Sequence, residues 1–198
     1  MSSIIKLYHA SDTVIKAPIW NKGRIDTDFG QGFYLTPDLI MAEKWACRKK
    51  PSVINEYLMD IRRLSVYRFE DNEEWLDFVV NNRQLNEMDT LYSKFDLLVG
   101  PTADDKLFST VEQYEMGLLS SKAAARVLDC MKIGVQYVCK TSRAVQSLVF
   151  EDAYTMNKTE KDRIKQIIRN DRDEAARLTR TIIQEEVRKQ NRENEIER

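Results

Sequence analysis

The chain has a single histidine, three cysteines and four prolines in 198 residues, and these scarcities narrow its chemistry before any motif is considered. With only His9, and no CxxC or HxxxH spacing, a zinc site would need an all-carboxylate or mixed ligand set, so no metal is expected. Cys47, Cys130 and Cys139 are odd in number, scattered and flanked by apolar residues. That pattern excludes a disulfide framework and suits small core hydrophobes in a reducing compartment. An N-terminal apolar segment of the signal-peptide type is missing, as is any apolar run of about 18 residues. The expectation is a cytoplasmic protein that does not enter a membrane. Nor is either charge in excess: 31 Lys and Arg face 32 Asp and Glu, for a net charge of −1. The strongly basic footprint of non-specific nucleic-acid binding is therefore absent in bulk.

What is present is enough apolar surface for a core, 42% of residues, with 32% charged residues to solvate it. The length suits one ordinary domain with an appendage. Ile4 to His9 reads as a short strand with His9 at its carboxyl end, and Val14 to Lys16 as a small strand inside a loop-rich crossing. Gly32 to Leu35 reads as the next strand. Thr36-Pro37-Asp38 predicts a helix start, with Thr36 as N-cap, continuing to about Arg48 with Trp45 in the core. Val53 to Met59 and Leu64 to Phe69 alternate as strands joined by a turn at Asp60 to Arg63. A helix from Asn72 and a strand over Phe95 to Val99 follow, with Asp96 supporting a turn. Helices are then expected over Lys106 to Met116 and Ser121 to Met131, a strand over Val135 to Lys140 and a short helix from Ser142 to Leu148. Strands and helices mix without βαβ alternation, which predicts an α+β fold.

At Asn157 the composition changes: glycine, proline and aromatics vanish, and charges of both signs dominate. Ile164, Ile167, Ile168, Ala175, Leu178, Ile182 and Val187 recur at helical steps. The organisation read from this is a domain over 1–156 and a charged amphipathic helical tail over 157–198. Helical stripes of this kind usually serve burial against their own domain, with a dedicated partner helix as the alternative.

The chemistry-bearing stretch is Asp28 to Thr36, DFGQGFYLT, where Gly30 and Gly32 flank one residue before an aromatic strand. Glycine there tolerates positive φ or lets a ligand approach the backbone, and it also suits a tight turn or bulge. A strand ending in His9-Ala10-Ser11 precedes this stretch, and a strand beginning Gln136-Tyr137-Val138 follows it. In this order the three segments resemble the His-Tyr-Glu group of the ADP-ribosyltransferase superfamily, in its poly-ADP-ribose-polymerase and diphtheria-toxin-like branch. The chain is similar in more detail to a bacterial family of uncharacterised domains with that affinity. The motifs shared with it are at Leu7 to Ser11, Asp28 to Thr36, Ala42 to Ala46, Phe95 to Asp105 and Gln136 to Phe150, so the resemblance spans roughly residues 4 to 150.

The resemblance implies split antiparallel β-sheets with flanking helices, and NAD as co-substrate. It implies that His9 holds a ribose diol, that the backbone of Ala10 takes the nicotinamide amide with Ser11 in support, and that Tyr34 stacks on the nicotinamide ring. Phe33, with Phe29, would line the same pocket beside Gly30 and Gly32. A neutral imidazole suits a diol, and a pyridinium is attracted to an aromatic face. Gln136 stands where active relatives place glutamate. An amide stabilises a developing cation far less than a carboxylate, although it could orient a ribose hydroxyl. Asp104 and Asp105, then Glu112 and Glu115, are the candidates for supplying charge.

The implied activity is mono-ADP-ribosyl transfer from NAD to a macromolecular acceptor, protein, RNA or DNA. The alternatives are a catalytically silent NAD- or ADP-ribose-binding module and an NAD glycohydrolase. By analogy with small bacterial enzymes of this sort, the setting would be a toxin or phage-defence effector, with the 157–198 helix as a docking segment for a neutralising antitoxin.

Overall fold

Period-two burial along the strands and period-3.6 burial along the helices divide the apolar residues among three clusters, which fix the architecture. The computed structural model describes residues 4–70, 72–83, 91–102, 110, 112–114, 116–117, 119–130 and 134–196. In chain order the elements are β1 (Ile4–Ser11), β2 (Phe33–Leu35), α1 (Leu39–Ala46), β3 (Val53–Asp60), β4 (Val66–Arg68) and α2 (Asn72–Arg83). They continue with β5 (Leu97–Pro101), α3 (Ser121–Cys130), β6 (Val135–Cys139), α4 (Ser142–Gln146), β7 (Leu148–Thr155) and α5 (Lys158–Ile196). The fold is α+β. One sheet has the order β1-β3-β7 and the other β2-β6-β5-β4. Every pairing is antiparallel except β4 with β5, which is parallel and departs from the wholly antiparallel expectation.

The two sheets face each other over Leu7, Tyr57 and Met59 from one, and Phe33, Leu35, Leu97, Val99 and Cys139 from the other. On the far side of the second sheet, Phe29, Trp75, Val79, Leu98, Val127 and Val138 pack with Ala175 and Ile182 of α5. On the far side of the first, Ile54 packs with Ala42 and Ala46 of α1 and with Ile164 at the start of α5. The long helix therefore spends its apolar stripe on both outer layers of its own chain. Ion pairs at Arg163–Glu43 (2.8 Å), Lys44–Asp171 (2.5 Å) and Arg126–Glu185 (3.1 Å) flank that stripe. Among the described residues no helix is long and apolar enough to cross a membrane.

Local expectations are altered where tertiary contacts take over. β1 runs two residues past His9, because Ala10 and Ser11 keep their register with Ile54 and Val53. Val14 to Lys16 is not a strand. The Ile15 N–H donates to the Asn55 carboxamide oxygen (2.7 Å) and its carbonyl accepts from the Tyr57 hydroxyl (2.5 Å), so side chains replace a ladder there. Thr36 is extended, with its backbone bridged to Tyr8, and the cap of α1 is Asp38, whose carboxylate accepts from Ile40 N (2.8 Å) and Met41 N (3.3 Å). β3 and β4 follow one turn yet belong to different sheets. β7 is a strand of eight residues where the spacing predicts only the short helix that precedes it. Trp45 is half-buried and joins none of the three apolar clusters, while Met41 on the same helix is buried beside Gly134. Cys47 and Cys139 are free thiols.

Candidate functional site

The place where the two sheets part is set by hydrogen-bond parity along β1. Tyr8 N–H donates to Thr36 O (2.8 Å) and Thr36 N–H to Tyr8 O (3.0 Å), an isolated bridge between the sheets. In an antiparallel strand, alternate residues turn their backbone groups to opposite sides. Because Tyr8 turns toward β2, so does Ala10, and the position opposite Ala10 is Tyr34, where the strands have already separated. The N–H and C=O of Ala10 thus face the split.

One side chain spans this split. His9 Nδ1 donates to the carbonyl of Tyr34 at 2.7 Å, which assigns the proton to Nδ1 and leaves Nε2 as an acceptor on a neutral ring. The ring lies on Phe33, with centroids 4.2 Å apart and planes 23° apart. Loss of hydration in this packing pushes the imidazole down to about 4, against which the Tyr34 carbonyl acts weakly. His9 is consequently uncharged near neutrality.

The other expected residues separate by strand parity. Phe33 shares the inter-sheet face with His9, whereas Tyr34 and Gln136 point to the opposite face with Val138. Tyr34 does not present a free ring to His9: its hydroxyl accepts from Phe29 N (3.0 Å), donates to Gly30 O (2.7 Å) and lies 2.7 Å from the Thr27 hydroxyl. Burial pushes that phenol above its ordinary range. Phe29 is fully buried against Phe69 and Phe78, so it does not line a pocket with Phe33. Gln136 is buried, and its Nε2 donates to Pro101 O at 2.8 Å. Ser11 is also committed, donating to Thr13 O and accepting from Asn55 Nδ2 (2.9 Å).

The two glycines have separate structural reasons. Gly30 has φ +64°, a conformation that other residues adopt at a cost. At Gly32 a Cβ would lie 2.5 Å from Val138 Cγ1 and 3.1 Å from Cys139 O, so β6 occupies the space a side chain would need. Neither requires a ligand. Asp104, Asp105 and Glu115 lie outside the described residues, and Glu112 is exposed on a helical turn. Asp96 does support a turn, accepting from Ser65 N (3.1 Å) and Thr141 Oγ1 (2.7 Å).

Two further residues, neither part of a motif, organise this region. Asn55 is fully buried, and its carboxamide links Ser11, Thr13 and Ile15. A polar residue in phase with the apolar Val53, Tyr57 and Met59 was the signal. Lys140 donates to Phe29 O (2.5 Å) and Gln31 O (2.6 Å), tying the glycine turn to the end of β6, and burial lowers its amine to about 8. Nothing local in the sequence marks it.

No curated protein and no solved structure matches the chain. A family model described as a protein of unknown function, DUF3990, matches residues 5–150, which takes in both sheets up to the first part of β7 and stops before the long helix. On that match, the chain belongs to the DUF3990 family.

Proposed function

We propose that the chain is an NAD-dependent mono-ADP-ribosyltransferase acting on a macromolecular acceptor. The observation that carries this reading is the split between the sheets. A neutral His9, its tautomer set by Tyr34 O, stands next to a backbone N–H and C=O of Ala10 that face the gap. A ribose hydroxyl can donate to Nε2, and a carboxamide can pair with one N–H and one C=O, so these groups fit a nicotinamide nucleotide. NAD supplies the ADP-ribosyl group, with nicotinamide as leaving group. His9 and Ala10 would hold and orient it, Phe33 would fix the imidazole plane, and Asn55 would fix the chain after Ser11. Tyr34 contributes its carbonyl in this arrangement rather than a stacking ring.

A second reading is favoured by Gln136, whose amide is already bound to Pro101 O and which lies on the face opposite His9. On this reading the fold binds NAD or ADP-ribose without turnover. Titration of the full chain with NAD, together with nicotinamide release and label transfer from NAD into the protein, RNA and DNA fractions of a cell extract, separates the two. Transferase activity predicts label in one fraction and a loss of at least about 100-fold in His9→Ala, a size typical of a lost orienting group. Saturable binding without nicotinamide release, unchanged in Gln136→Glu, establishes the silent module. Release without labelled acceptor identifies a glycohydrolase, and absence of both binding and release ends the NAD reading.

A further inference from the structure

We propose that a second site, distant from His9, binds a phosphate group. It is an open cavity of about 460 Å³ between the turn after β3 and the junction of α4 with β7, within the size range of small-molecule pockets. Residues about 80 positions apart meet there because Met59 pairs with Leu148 and Asp60 N–H reaches Ser147 O (3.4 Å). Counted along β1, from the His9–Asn55 pair to the Ile4–Asp60 pair, it lies about 17 Å from the candidate NAD groups.

Three arginines, Arg62, Arg63 and Arg143, line this cavity in a chain whose net charge is −1. Arg62 is held by Asp60, through Nε at 3.0 Å and Nη2 at 2.5 Å, which also keeps that carboxyl down at about 2. Arg143 touches Asp96 at only 3.4 Å, and Asp96 is already bonded to Ser65 and Thr141; the arginine side chain stays 71% exposed. Arg63 adds its charge beside Asp60, helping to hold that carboxyl down, and forms no salt bridge or side-chain hydrogen bond among the described residues. Arg63 and the largely exposed Arg143 thus line the cavity with guanidinium capacity left over, beside the carboxamide of Gln146 and the Asp60 carboxylate that Arg62 already holds.

Guanidinium forks bind phosphate bidentately, and two arginines not committed to Asp60 supply the positive charge such an oxyanion needs. The lining includes no aromatic ring and, in Leu64, a single apolar side chain, so it offers nothing for a base to stack on. The ligand chemistry is therefore a phosphate group, from a free phosphorylated molecule or from a polynucleotide backbone, recognised without reading sequence. This site rests on none of the NAD chemistry above.

The test is titration of the full chain with inorganic phosphate and, separately, with a single-stranded oligonucleotide. Arg63→Ala, Arg143→Ala and the double variant run alongside, and melting curves verify that these exposed positions leave the fold intact. Saturable binding of at least one probe is expected, weakened about ten-fold by each substitution, with Arg143→Lys intermediate because it keeps the charge and loses the fork. Tight oligonucleotide binding, with a salt slope that drops by about one per arginine removed, assigns the site to a polymer. Binding of phosphate alone assigns it to a small molecule. Failure of both probes to saturate, or unaltered binding by the double variant, overturns the proposal.

Discussion

His9 shows how a residue type is given its role by three neighbours. The Tyr34 carbonyl chooses the tautomer, Phe33 fixes the plane, and the loss of hydration keeps the ring neutral. The pH consequence follows from the sign of the shift. The folded-state value, about 4, lies below the ordinary 6.5, so between these values the unfolded chain binds a proton that the folded chain refuses. The contribution of His9 is complete above pH 6.5 and is lost as pH falls toward 4. Chemical unfolding across that window should show stability falling with pH by up to about 3 kcal/mol, less to the extent that the ring edge stays hydrated. His9→Gln should lack this component, so that the two stability curves converge at the acid end.

At the scale of elements, β2 is held by what its neighbours leave room for. Gly32 sits against Val138 and the Cys139 carbonyl, so β2 and β6 approach more closely than side chains at that position allow. Gly32→Ala should destabilise the protein by about 1–3 kcal/mol, the usual cost of overpacking. Val138→Ala in the same chain should recover only part of that in a denaturant titration, because the Cys139 carbonyl remains in place. Alternation made β3 and β6 legible in sequence, and composition made α5 legible. The segment over 14–16 was misread because its backbone is satisfied by Asn55 and Tyr57, forty-odd residues along the chain. Thr36 was misread as a cap because its backbone is taken by Tyr8, which local capping rules do not include.

For the whole molecule, α5 is a structural member of both outer layers. At 39 residues it is about 58 Å long, and its apolar stripe covers α1 near Ile164 and α3 near Ile182. Ile164 is fully buried, and Arg163 supplies the partner of the buried Glu43. Ile164→Ala should cost about 2–5 kcal/mol, read from the shift in the denaturant midpoint. A chain ending at Asn157 should lose its cooperative transition, since both outer clusters would be opened to water at once.

Sequence by itself determined the α+β class, the long amphipathic helix, and the placing of His9 late in a strand and of two glycines before another. These rest on periodicity and on residue type, both of which are local properties. Only the tertiary structure decided that His9 meets Phe33 and the Tyr34 carbonyl rather than the Tyr34 ring, because side chains alternate across a strand and neighbouring residues take opposite faces. It alone brought Asn55 and Lys140 to the site and gathered the arginines from either end of the chain's middle, since those contacts are made by strand register and not by spacing along the sequence.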